Sequence, residues 1–131
     1  MEPMESIELP QVHGALPELY ELPLAASRFG LPADYERAHE VFAEAQEAWD
    51  AGRFSDAATQ FLAVSALVKE PSPRTTYASQ FAQMRLAAYK DAALAFKQAG
   101  AREAGRTALA QAREADAENR AGLDALLASL A

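Results

Sequence analysis

This chain of 131 residues contains no cysteine, which excludes disulfides, thiolate catalysis and cysteine-ligated metals. Histidine is nearly absent too. His13 and His39 are the only two, and neither has a second histidine at a metal-ligand spacing such as H-x-x-x-H. No metal or cofactor is therefore expected. No apolar run approaches the roughly 18 to 20 residues that cross a bilayer, so membrane insertion is not expected. The opening MEPMESIELP has neither a basic stretch nor an apolar one, so no secretory leader is expected in it, and the cytoplasm is the default location. There is no G-x-S-x-G elbow, no glycine loop to cradle phosphate, and no nucleophile–base pair close in sequence. Catalytic residues are accordingly not assigned. No period-2 run bounded by turn residues occurs, so no sheet is predicted.

What the chain has in quantity is alanine: 32 residues, with few β-branched ones among them. Alanine favours helix and lets helix backbones approach closely; a GC-rich bacterial genome gives the same enrichment. Charge is uneven. Residues 1–50 carry 11 acidic and 2 basic side chains, a net of −9, whereas residues 51–131 carry 8 and 10, a net of +2. An acidic half of this kind argues against nucleic-acid binding, which requires a basic footprint. The asymmetry suits attraction between the halves, within one chain or between copies. Glu36, Glu40 and Glu44 fall at successive i, i+4 positions and read as a solvated acidic helix face.

Residues 1–32 form an expected N-terminal arm, with five of the seven prolines at Pro3, Pro10, Pro17, Pro23 and Pro32. Proline lacks an amide donor and restricts its predecessor, so the arm is expected to be extended. It is too apolar for a linker. Leu16, Leu19, Tyr20, Leu22, Leu24 and Phe29 mark it as a docking segment, in contact with its own chain or with a neighbour.

From 33 to 131 every segment reads as helix, about five in all. Tyr35, Ala38, Phe42, Ala45 and Trp49 share one face. Gly52 ends that helix, because glycine accepts the left-handed conformation just past a helix end. A second helix over about 54–69 aligns Phe54, Ala58, Phe61, Ser65 and Val68. Ser72-Pro73 is a cap-and-first-turn signal that opens a third helix, about 73–98, aligning Tyr77, Phe81, Met84, Ala88, Ala92 and Phe96. Gly100 ends it. A fourth, about 101–116, presents Ala101, Gly105, Ala108, Ala112 and Ala115. The last, about 118–130, carries Leu123, Leu126, Leu127 and Leu130.

Two glycine-punctuated helix pairs, with Gly52 and Gly100 at corresponding points, resemble tetratricopeptide repeats, units of about 34 residues that fold as antiparallel helical hairpins. Val41, Ala45, Gly52, Phe54, Ala57, Phe61 and Val64 match the pattern in residues 38–71. Tyr89, Ala92, Ala93, Phe96, Gly100, Gly105, Leu109 and Ala112 match it in residues 86–119. EADAEN is similar to the closing turn, with alanine in place of proline. Glu44 stands where an apolar residue is usual and Arg102 where an aromatic one is, and the two units start 48 residues apart. A generic five-helix bundle is the alternative architecture. The mid-helix Gly105 is explained by close helix packing, since glycine there costs about 1 kcal/mol relative to alanine.

The resemblance implies a concave groove lined by the first helix of each repeat. The partner-binding positions are then His39, Phe42, Gln46, Trp49 and Asp50, followed by Lys90, Asp91, Leu94, Lys97 and Gln98. Lys90 matches one position of a carboxylate clamp, but Leu94 replaces the asparagine that accompanies it. Trp49 reads either as a groove anchor or as part of the core stripe with Tyr35 and Phe42. The function expected is a non-enzymatic adaptor that binds a peptide or helix of another protein. The alternatives are a self-assembling subunit whose arm docks on a neighbouring copy, and a small-ligand sensor or enzyme.

Overall fold

A computed structural model describes Val12, residues 32–68 and residues 78–131. Among the described residues five α-helices follow one another: α1 (Pro32–Asp50), α2 (Phe54–Leu67), α3 (Ala78–Gln98), α4 (Arg102–Ala115) and α5 (Arg120–Leu130). A single 3-10 turn, Ala117–Asn119, separates α4 from α5. The described residues contain no strand. The described elements are all helical, as the periodicity predicts. The expected beginning of the third helix at 73, its cap at Ser72, and the arm residues Leu16, Leu19, Tyr20, Leu22, Leu24 and Phe29 lie outside the described residues.

The two glycine signals work as the sequence indicates. Gly52 has φ 81° and Gly100 has φ 71°, both left-handed. At the end of α1 the Arg53 amide donates to the Ala48 carbonyl and the Gly52 amide to that of Trp49, at 2.8 and 3.1 Å. At the end of α3 the Ala101 amide donates to Phe96 and the Gly100 amide to Lys97, at 2.9 and 3.1 Å. These are the paired six-to-one and five-to-two bonds of a Schellman cap, repeated 48 residues on, and each satisfies carbonyls that the helix end would otherwise orphan.

Three apolar clusters hold the helices. The first joins Ala38 and Val41, early in α1, to Val64 and Val68 at the end of α2 and to Phe81 and Ala88 of α3. The second joins Ala45, Ala48 and Trp49, late in α1, to Ala57, Ala58 and Phe61, early in α2, and to Ala92, Ala95 and Phe96 of α3. The third joins Tyr89 and Ala93 of α3 to Leu109 of α4 and to Leu123 and Leu130 of α5. All three clusters draw on α3. Much of this core is methyl-sized, so cohesion depends on close approach, because dispersion between non-bonded atoms falls off within an ångström. Gly105 shows how close. A Cβ added there would lie 2.8 Å from Phe96 Cγ and 2.9 Å from its Cβ.

Candidate functional site

Two surfaces are candidates for function, and they are built differently. The first belongs to α1 and α3. The helical phase of α1 turns Ala45, Ala48 and Trp49 into the second cluster and leaves Gln46 exposed; Phe42 is half-buried beside them. Phe42 sits 5.9 Å, ring centre to ring centre, from Phe61 of α2. On α3 the same logic exposes Lys90, half-buries Leu94 and Lys97, and turns Ala92 and Ala95 inward. Phe42 and Leu94 both border the second cluster, and so does Val12, from twenty residues before α1. His39 is half-buried near the middle of α1.

Trp49 takes the core alternative. It is 4% exposed, and its ring meets Phe54 edge-on with centres 5.2 Å apart. Glu44 and Arg102, the two departures from the repeat pattern, are both exposed, so neither disturbs the core. Asp91, one residue from exposed Lys90, is fully buried and partnered.

The second surface is a cleft of about 810 Å³ between the C-terminal halves of α2 and α4. Its walls are Leu62, Ala66, Ala108, Ala112 and Ala115, and at its floor lie Arg85 and Tyr89 with Asp116 beyond them. That floor holds a buried polar network. Arg85 Nε donates to Asp116 Oδ2 at 2.8 Å and its Nη2 to Asp116 Oδ1 at 3.3 Å. The same Nη2 donates to Glu118 Oε1 at 3.1 Å, and Nη1 donates to the Val68 carbonyl at 3.3 Å. The Tyr89 hydroxyl and Asn119 Nδ2 each donate to Asp116 Oδ2 at 2.9 Å, and Asn119 Nδ2 also reaches the Ala82 carbonyl at 3.0 Å.

Burial alone would push the Asp116 carboxyl up, but the hydrogen bonds from Arg85, Asn119 and Tyr89 outweigh it and hold the acid below its ordinary range. Burial, reinforced by the bond to that carboxylate, pushes the Tyr89 phenol above its own ordinary range. Asp116 is thus a fixed anion and Tyr89 a fixed donor at neutral pH. Arg85 has Asp116, Glu118 and Val68 around it. Groups so fully engaged with one another are suited to holding α2, α3 and the α4–α5 junction in register, and unsuited to proton transfer, which needs a group near its titration point.

The sequence reading missed this network. Its signal was present: Arg85 falls one turn after Phe81 on the inward face of α3, where an unpaired charge would be costly. Its carboxylate partners are 31 and 33 residues away, a distance that periodicity does not span.

Among the described residues no group of three or more histidines and carboxylates is placed to hold a metal ion, and no helix is long and apolar enough to cross a membrane. No family model, curated protein or solved structure matches this chain.

Proposed function

We propose that the chain is a non-enzymatic adaptor with tetratricopeptide-like helical hairpins, working in the cytoplasm and receiving an apolar peptide or helix of a partner protein on its α1/α3 face. The observation that supports this reading is the position of Val12. A side chain from outside the helices is already packed, half-buried, against the cluster bordered by Phe42 and Leu94. The cluster beneath that face therefore accepts a side chain that the helical array does not itself supply. Exposed Gln46 and Lys90, with half-buried Lys97, surround that apolar ground with polar groups, the layout of a small recognition surface with an apolar centre and a polar rim. The repeated Schellman caps and the three clusters shared through α3 support the hairpin reading.

Affinity capture tests the proposal. Wild type, a face variant (Gln46→Ala with Leu94→Glu) and a remote variant (Arg113→Ala) are used as baits at equal loading. The adaptor reading expects a discrete protein that wild type and the remote variant retain and the face variant loses. Equal retention by all three would refute it.

A further inference from the structure

The cleft between α2 and α4 is lined by chemistry that selects one class of ligand. Its walls are rich in methyl groups: Leu62 and Ala66 from α2, and Ala108, Ala112 and Ala115 from α4. At about 810 Å³ it falls within the size of small-molecule sites, roughly 300–1,000 Å³. Three of its lining residues are charged. Arg85 stands against Asp116 and Glu118, one cation and two anions, for a local net of −1.

The hydrogen bonds sharpen that sign. Every nitrogen of Arg85 already donates: Nε to Asp116, Nη1 to the Val68 carbonyl, and Nη2 to both Asp116 and Glu118. The Tyr89 hydroxyl donates to Asp116 and the Ser65 hydroxyl to the Leu62 carbonyl, at 2.9 and 2.6 Å. These donors are spent inside the protein. The acceptors are not. A carboxylate offers about four lone-pair sites. Asp116 Oδ2 takes three bonds, but Oδ1 takes one, at 3.3 Å. Glu118 takes one bond, from Arg85, and its side chain is 48% exposed. The oxygens of Tyr89 and Ser65 keep lone pairs as well.

Spare acceptors and net negative charge, at the base of apolar walls, match a positively charged donor on an apolar body. An anion is disfavoured on the same count, because it must strip Glu118 from Arg85 and enter a site that is already negative. We propose that this cleft binds a small amphipathic cation, an alkyl- or arylammonium whose body lies between α2 and α4 and whose head group donates to Glu118. The proposal stands apart from the adaptor reading, which concerns the α1/α3 face.

Isothermal titration of the full chain with octylamine, octanol and octanoate tests it, since the three share a body and differ in head group. Octylamine should bind about fivefold more tightly than octanol, the upper worth of a half-exposed ion pair, and octanoate should bind most weakly. Glu118→Gln should remove the preference for octylamine and leave octanol unchanged. Ala66→Phe, which fills the cleft from an exposed position, should abolish binding of both. Glu44→Gln, on the exposed acidic row of α1, should change nothing and so separates the cleft from diffuse attraction to acidic surface. Circular dichroism of each variant checks that its helices are kept, and the comparison of head groups in wild type decides the charge preference without any variant. No binding at millimolar probe, equal binding of the three, or a preference for octanoate would overturn the proposal. So would an octylamine preference that survives Glu118→Gln or is removed by Glu44→Gln, and so would binding that survives Ala66→Phe.

Discussion

Truncating Asp116 gives the sharpest test of how this fold is held. Asp116 accepts from Arg85 twice, from Tyr89 and from Asn119. Asp116→Ala removes all four bonds and leaves a guanidinium that is 7% exposed with Glu118 and the Val68 carbonyl as its hydrogen-bond acceptors. Breaking a buried pair by deleting one partner costs about 3–5 kcal/mol; the acceptors that remain, the Glu118 carboxylate and the Val68 carbonyl among them, place this case near the lower end. Replacing the whole set by apolar groups of similar volume is different, since no charge is then stranded. Arg85→Met with Asp116→Leu and Tyr89→Phe should recover most of the loss, because such replacements range from neutral to stabilising. Urea melts followed by helical circular dichroism at neutral pH give both values, and equal slopes would show that stability rather than the unfolded state has changed. A loss below about 1 kcal/mol for Asp116→Ala, or a triple variant as unstable as the single one, would refute the view that this network bolts α2, α3 and the α4–α5 junction together.

Phe61 is fully buried between α1 and α2, so Phe61→Ala should cost roughly 3–5 kcal/mol in a urea melt, and a loss under about 1 would mean the cluster collapses onto the space. Gly105→Ala sets a helix-propensity gain of about 1 kcal/mol against overpacking of about 1–3. With Phe96 Cβ at 2.9 Å, too near the backbone to swing aside, a net loss is expected, and combining it with Phe96→Leu should restore stability. Because the folded Asp116 carboxyl sits below its usual range, its contribution is complete above about pH 4, the unfolded value. It disappears as pH falls through the lower folded value; Asp116→Asn should flatten that part of an acid melt. Tyr89 has the opposite sign. Its raised phenol contributes fully below about pH 10 and loses that contribution as pH climbs through the folded value, so Tyr89→Phe should blunt alkaline unfolding.

Much of the architecture could be read from local chemistry. The turns at Gly52 and Gly100 follow from a residue that tolerates positive φ, and the inward faces of α1 to α3 follow from a period of 3.6. Close packing at Gly105 is legible too, because a mid-helix glycine needs a reason, and Phe96 supplies it. What escaped was long-range or degenerate in pattern. Nothing near Arg85 indicates Asp116, since a buried ion pair is chosen by topology and not by spacing. The alanine face assigned to α4 contains both Gly105, which is buried, and Ala115, which is exposed; alanine suits either environment and so carries little information about phase. Trp49 was ambiguous for a related reason, because a large aromatic is at home in a core and in a groove alike. The second cluster, with the ring of Phe54 brought back by the turn at Gly52, places it in the core.

Packing material is distributed unevenly between the two ends of the described helices. The α4–α5 end is closed by leucines, with Leu109, Leu123 and Leu130 filling the third cluster, and by the Arg85–Asp116 network beside it. Among the described residues, α1 meets its neighbours largely through smaller side chains. It packs on α2, and its inward residues in the second cluster are Ala45, Ala48 and Trp49. Alanine buries little area, at about 25 cal/mol for each Å² removed from water, so a helix held largely by alanine gains stability from any apolar cover laid along it. The acidic row Glu36, Glu40, Glu44 and Glu47 is exposed on α1, while Lys90 and Lys97 stand on α3. A covering segment therefore meets a repelling edge on one side and an attracting one on the other. Any outside peptide that fits there must match the same two demands, apolar residues toward the alanine cluster and negative charge toward the lysines.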